Sequence, residues 1–355
     1  MKVGILGAGG MGGTVIKHLQ QCPEVESIIA YDVRESRVKE LREQYSIEAT
    51  TEINDVLCDD NVQCIFITSS NDAHAELAIR SLNAGKAVLC EKPMATTLAD
   101  AKSMVECTEA NSGFLQIGFE LRYSYLYTKV KEWIDAGLLG DVINTQCTYI
   151  ASAWKKDTWR ARGEGGPMFG EKLSHYVDLP RWWIGSDVTE IYAASAPNAI
   201  PYYKPRDNYQ ATYRFANGAI SHITFMMAPA ATFDGDPLQN VIDQQNGDGH
   251  TLKFLIQGTK GAAETDVFAR SLKRWEFGDS PDKFISKWVE TITWDESEDH
   301  LWFHNTFNQT QDVVRRVAQG LPPATPPRDA YETMRLCFAA EESAQNGGVV
   351  SLLKK

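Results

Sequence analysis

The stretch "KVGILGAGGMGGTVIKHLQQ", residues 2–21, sets an apolar run against a glycine cluster and then a helical pattern. "KVGILG" reads as a short buried strand, and "MGGTVIKHLQQ" as an amphipathic helix. Between them stands Gly7-Ala8-Gly9-Gly10-Met11-Gly12, a G-x-G-x-x-G turn. Such a hexapeptide alone is a weak signal, but strand before and helix after give it the dinucleotide-binding context. Gly7 allows the tight turn, Gly9 lets backbone approach a pyrophosphate, and Gly12 lets helix and strand pack closely. With Gly10 and Met11 they open a helix whose first N–H groups face the phosphates.

A second strand, "SIIAYD", ends at Asp32, twenty residues beyond Gly12. An acid there accepts hydrogen bonds from the adenosine ribose and repels a 2′-phosphate, which favours NAD over NADP. Arg34 and Arg37 follow; each is read as a reach toward a 2′-phosphate or the adenine, or as a solvated surface residue. Strand and helix signals then alternate: a helix at 34–45, a strand at 47–50, a helix at 52–58, the strand "QCIFITSS", the helix "NDAHAELAIRSLNAG" and the strand "KAVLCEKP". The pattern predicts a doubly wound parallel sheet, whose ligands sit at the carboxyl ends of the strands. Gly7–Gly12, Asp32, Thr68, Ser69, Ser70, Asn71, Glu91 and Lys92 all fall at such ends, with His74 just after.

Lys92 invites a solvated reading, since strand ends are often charged. Pro93 and Met94 argue otherwise, because they fix and cover the chain behind it. A lysine amine held in partly dry surroundings beside a nicotinamide is suited to proton transfer.

At this point the chain resembles the Gfo/Idh/MocA family, named for glucose–fructose oxidoreductase and inositol dehydrogenase. The resemblance rests on the N-terminal G-x-G-x-x-G, on "TSSNDAHAELAIRSLNAGKAVLCEKPMATT", and on a later segment ending in His175. Ser70 stands where the family usually has proline, and Ala87 where it has histidine. The resemblance implies a Rossmann domain over about 1–120, followed by an α+β domain over 121–355 with an open, mostly antiparallel sheet; the closing helix near 328–345 is placed as packing back on the first. It also implies that Lys92 reaches the reacting hydroxyl, that the peptide before Pro93 is cis, and that subunits assemble as homodimers or homotetramers.

In the second half, "VINTQCTYIAS" and "NYQATYRFANGAISHITFMM" alternate with period two around an Asn-Gly turn, the pattern of antiparallel strands. Phe119, Arg122, Tyr123 and a helix over 124–136 match the family's start of this half. In "WRARGEGGPMFGEKLSHYVDLPRWWIG", residues 159–185, a helix from Glu171 onward places Glu171, His175 and Asp178 on one face. The family usually has aspartate four residues before this histidine; here it is Glu171, followed by Lys172. Three readings stand: a helix-surface pair, metal ligands, or an acid–base cluster with Lys92. No cysteine or second histidine sits at zinc-like spacing here, so no metal is expected. His300 and His304 form another i, i+4 pair, read as helix packing. Trp182 and Trp183 read as core; Trp154 and Trp159, with Arg160, read as a sugar-stacking wall. Arg122, Tyr123, Trp159, Arg160, Lys172 and Asp178 are the substrate-binding candidates. The loop at 228–250 is long and unpatterned, a lid or a subunit arm.

The formal net charge of −12 disfavours nucleic acid and anionic membrane surfaces as partners. No apolar run approaches the roughly 18 residues of a membrane span. The seven cysteines are scattered, which suits reduced thiols in the cytoplasm. The expected function is NAD-dependent oxidation of a secondary hydroxyl of a sugar, polyol or inositol-like substrate, with Lys92, His175 and Glu171 catalytic; whether Lys92 or His175 takes the proton stays open. Two other classes remain: a glycosidase or lyase that oxidises a ring hydroxyl transiently and retains its NAD, and a non-enzymatic NAD(P)-sensing protein.

Overall fold

The computed structural model describes residues 1–227 and 251–353. The 228–250 loop lies outside the described residues. The chain forms two compact units: Met1–Glu120 with Thr306–Arg335, and Leu121–Asn305 with Leu336–Lys355. A later segment, 306–335, belongs with the first unit.

The first unit runs β1 (Lys2–Leu6), α1 (Gly10–Leu19), β2 (Ser27–Tyr31), α2 (Glu35–Tyr45), β3 (Glu48–Thr50), α3 (Asn54–Leu57), β4 (Val62–Ile67), α4 (His74–Asn83), β5 (Ala87–Glu91), α5 (Leu98–Ala110) and β6 (Leu115–Gly118). The strands pair in the order β3-β2-β1-β4-β5-β6, all parallel. This is the doubly wound arrangement, with the chain reversing direction across the sheet between β1 and β4. Val3, Ile5, Cys64 and Phe66 have no exposed surface, as parallel strands covered on both faces require. Each such aliphatic or aromatic side chain stabilises by about 1.5–3 kcal/mol through burial. Val313 and Val314, from the helix Thr306–Ala318, complete this core. Sequence periodicity identifies such a helix but not the core it joins.

The second unit runs α6 (Tyr125–Asp135), β7 (Val142–Ala151), α7 (Met168–Glu171), α8 (Ser174–Ile184), β8 (Val188–Ala194), β9 (Asn208–Phe215), β10 (Ile220–Met227), β11 (Thr251–Gly258), β12 (Gly261–Asp266), β13 (Ser271–Asp279), β14 (Phe284–Thr293) and β15 (Val350–Ser351). These strands form one open sheet in the order β14-β13-β12-β11-β7-β10-β9-β8-β15. Its pairs are antiparallel except β7 with β10, which run parallel. The alternation in β9 buries Tyr209, Ala211, Tyr213 and Phe215 on one face, where Tyr127, Tyr149, Tyr176 and Phe254 also pack. Among the described residues no helix is long and apolar enough to cross a membrane.

Candidate active site

The glycine turn is built for close approach. Gly7 has φ +89°, and a Cβ there would lie 2.4 Å from the Ser69 Cα. A Cβ on Gly12 would lie 2.7 Å from the Gly7 carbonyl oxygen, so helix and strand meet only because it is glycine. Gly9 and Gly10 have no atom within 4 Å of the same position. Packing does not require glycine there, and the open space at the head of α1 fits a pyrophosphate lying on the helix N-terminus. Met11 is exposed beside it, and the Thr68 hydroxyl donates to the Gly7 carbonyl, tying β4 to the turn.

Asp32 ends β2 almost fully buried. Its Oδ2 accepts from the Ala8 N–H at 3.1 Å, and its Oδ1 from the Arg34 N–H at 3.0 Å. The Arg34 guanidinium closes over both oxygens at 2.9 and 3.1 Å. Burial alone would raise its pKa, but the hydrogen bonds from Arg34 and Ala8 outweigh it and hold the carboxyl below its ordinary value. Asp32 is thus held anionic at the carboxyl end of the sheet. Arg37, read as a ligand contact or a solvated residue, is engaged with the protein itself. Its Nε donates to the Ala8 carbonyl at 2.6 Å and its Nη1 pairs with Glu40 at 2.7 Å, so it braces the glycine turn from behind.

At the next strand ends, Ser69 is half-buried, Ser70 exposed and Asn71 buried. His74 follows in the same rim. It is 1% exposed, its Nδ1 lies 2.8 Å from the Pro93 carbonyl oxygen and its Nε2 lies 3.4 Å from that of Ser69. Burial lowers its pKa, and the ring, whose neutral form has a single N–H to donate, is tied most closely to the Pro93 carbonyl. The Lys92–Pro93 peptide is cis. Met94 and Ala95 are buried behind it, and Lys92 itself is half-buried. Glu91 points into the protein at 7% exposure; burial first, and the charge of Glu120 second, push its pKa up to about 8 against the pull of Lys92.

In the second unit the continuous helix expected from Glu171 is two helices. Glu171 closes α7, Lys172 and Leu173 form a break, and α8 starts at Ser174. Leu173, with no exposed surface, fills the core at the break, and the buried Glu341 fixes the start of α7 by accepting from the Phe169 N–H at 3.0 Å. The other Glu341 oxygen accepts from the Tyr209 hydroxyl at 2.7 Å. Glu171 and His175 are both buried, at 4% and 3% exposure, but on separate helices.

Each acid of this cluster holds an arginine. Arg160 Nε donates to Glu171 Oε1 at 2.7 Å while its guanidinium lies 4.6 Å from the Trp159 ring. Arg122 grips Asp178 with two bonds of 2.7 Å, and Asp178 is 1% exposed. This bidentate pair joins α8 to the turn before α6. Lys172 Nζ lies 5.2 Å from the Tyr149 ring, and Tyr123 is half-buried with its carbonyl accepting from Asn305. Trp183 is core; Trp182 is half-buried, its ring near the Arg122 and Lys131 cations. Trp154 stacks on Tyr203 at 5.6 Å, and Tyr202 donates to the Trp154 carbonyl at 2.8 Å. Those tyrosines were missed in the sequence because proline-flanked "PYYKP" carries no strand or helix pattern.

The His300/His304 pair does not form. The helix Asp299–Trp302 is a single turn, His300 is exposed, and the His304 ring lies 6.3 Å from that of His175. A cavity of about 790 Å³ near Asp207, Tyr209 and Met227 holds none of the candidate side chains.

Glycines open to phosphate, an anionic ribose acceptor and a separate acid–base cluster are what hydride transfer with a dinucleotide demands, and NAD-dependent oxidoreductases acting on CH–OH groups are the class these units define. The chain belongs to the GFO/IDH/MocA family: residues 1–119 match its NAD-binding Rossmann-fold oxidoreductase domain and residues 127–264 its C-terminal domain. Inositol 2-dehydrogenase of Salmonella paratyphi B is 26% identical over 100% of this chain and 98% of that protein. Myo-inositol 2-dehydrogenase of Thermotoga maritima is 26% identical over 99% and 98%. The structure of levoglucosan dehydrogenase in complex with NADH shares the fold at a TM-score of 0.82, with 20% identity and complete coverage of both chains.

Proposed function

We propose that this oxidoreductase oxidises a secondary ring hydroxyl of a cyclic polyol or sugar, with an inositol-like ring as the leading class. The observation that carries the reading is the end-to-end likeness to inositol 2-dehydrogenases. NAD, when bound, takes the hydride. Lys92 donates a hydrogen bond to the reacting hydroxyl and steadies its developing charge. His175, buried, accepts the hydroxyl proton. Glu171, held by Arg160, sets the polarity around the imidazole, and Trp159 offers its ring to the apolar face of the sugar. Seven free thiols support a reducing cytoplasmic setting. The exposed Phe284, Ile285, Trp288 and Val289 on β14 support a homodimer or homotetramer.

The test is incubation with NAD and a panel of inositols, hexoses and anhydrosugars, following NADH absorbance together with product analysis. Formation of NADH with a ketone product is expected. Cleavage of a glycoside without net NADH, or NAD binding with no turnover of any member, would overturn the reading. Lys92→Met should lower kcat by at least about a hundredfold and leave NAD affinity within a factor of about two.

A further inference from the structure

Three segments distant in sequence are fastened around His175 within the second unit. Asn305, with no exposed surface, donates through Nδ2 to the carbonyls of Tyr123 and Leu301, each at 3.1 Å. The Ser124 hydroxyl donates to the Trp302 carbonyl. Trp302 stacks on Trp294 at 4.8 Å and 6°. Trp294 Nε1 in turn donates to Asp299 at 2.8 Å, and Arg270 grips Asp299 at 3.0 and 2.9 Å. The turn that carries His304 is therefore held on several sides. The Arg122–Asp178 pair locks the same 122–124 turn to the helix of His175. All this order brings two imidazoles to 6.3 Å between centroids, edge to face at 70°. That leaves roughly 4 Å or more between their nearest atoms, beyond a direct hydrogen bond, so any proton passing between them needs an intervening oxygen. His304 is half-buried where His175 is 3% exposed, so it stands nearer solvent.

The geometry points to His304 as the proton relay of His175, an assignment that rests on the dehydrogenase reading above. As the substrate C–H bond delivers its hydride to NAD, the O–H bond breaks, its electron pair forms the carbonyl, and the proton bonds to His175. The resulting imidazolium releases that proton through a bridging water to His304, which passes it to bulk solvent. His175 returns to its neutral form before the next substrate binds. His304 acts through His175 and is a positioning and relay residue.

The test compares wild type, His304→Phe, His304→Ala and His175→Phe, assayed with NAD and the member of the polyol panel that wild type oxidises fastest. His304→Phe keeps a ring beside Phe303 and removes the nitrogen. It is expected to lower kcat by about a hundredfold with KM for both substrates little changed. Free imidazole should restore His304→Ala at least tenfold, in proportion to its concentration, and leave His304→Phe, whose cavity is filled, unrestored. A role in packing alone predicts no such rescue. If His304→Phe keeps wild-type kcat while His175→Phe is inactive, the relay is overturned and the dehydrogenase reading stands. If His175→Phe also turns over normally, or wild type reduces NAD with no panel member, that reading falls and the relay with it. Loss of activity in His304→Ala without rescue by imidazole overturns the relay as well.

Discussion

Glu91 ends β5 as a buried carboxyl whose Oε1 has no hydrogen-bond partner among the described residues. Its unfolded pKa lies near the ordinary glutamate value, while burial and the charge of Glu120 move the folded value to about 8 despite Lys92. Between those limits the folded chain holds a proton that the unfolded chain releases. The stability tied to this proton is present below about pH 4.5 and declines as pH rises toward 8. Glu91→Gln imitates the protonated acid and lacks this decline. Melting curves of the two proteins should diverge from about pH 4.5 to about pH 8, with wild type falling behind by about 2–4 °C. Parallel curves would show that Glu91 ionises as an exposed glutamate does. Asp32 has the opposite sign: its pKa is lowered, so its contribution is present at neutral pH and lost on acidification through the folded value.

At the scale of elements, α7 is four residues long and depends on a side chain 172 positions away. Glu341 is 8% exposed and accepts from both the Phe169 N–H and the Tyr209 hydroxyl; burial raises its pKa, with both bonds pulling the other way. Glu341→Ala leaves two buried donors without acceptors, a cost of about 3 kcal/mol. A urea midpoint shifted by less than about 1 kcal/mol would show that α7 is set by its own sequence. This dependence explains what was legible and what was not. The glycine turn, Asp32 and the strand ending at Lys92 were readable because their signals are local: one motif, one spacing, one strand end. Within 159–185, periodicity suggested one helix from Glu171, yet the break at Lys172–Leu173 follows from Leu173 filling the core and Glu341 holding α7. For Arg37 and His74, sequence shows that a cation or imidazole stands near the rim, not that it bonds the Ala8 or Pro93 carbonyl. His304 was read as packing because its partner, His175, lies 129 residues earlier. The parallel pairing of β7 with β10 was hidden for a similar reason: alternation reports a half-buried strand and not its direction.

For the whole molecule, selectivity between dinucleotides follows from charge placed at one strand end on an acidic chain. The formal charge is −12, and Asp32 is held anionic where a 2′-phosphate would lie. Arg34 opposes this repulsion, but its guanidinium is already paired with both Asp32 oxygens, which partly neutralises the charge it offers a phosphate. Binding to the folded state alone stabilises it by RT ln(1 + [L]/Kd), about 2.7 kcal/mol at a hundredfold excess over Kd. NAD at that level should raise the melting temperature by several degrees. NADP at the same concentration should raise it by less than half as much. Asp32→Ala removes the repulsion and frees Arg34 for phosphate, so the variant should lose part of the NAD shift and gain an NADP shift of at least equal size. Equal shifts from both dinucleotides in the wild-type chain would show that β2 does not set the choice. An NAD-only shift persisting in Asp32→Ala would place the discrimination at another residue.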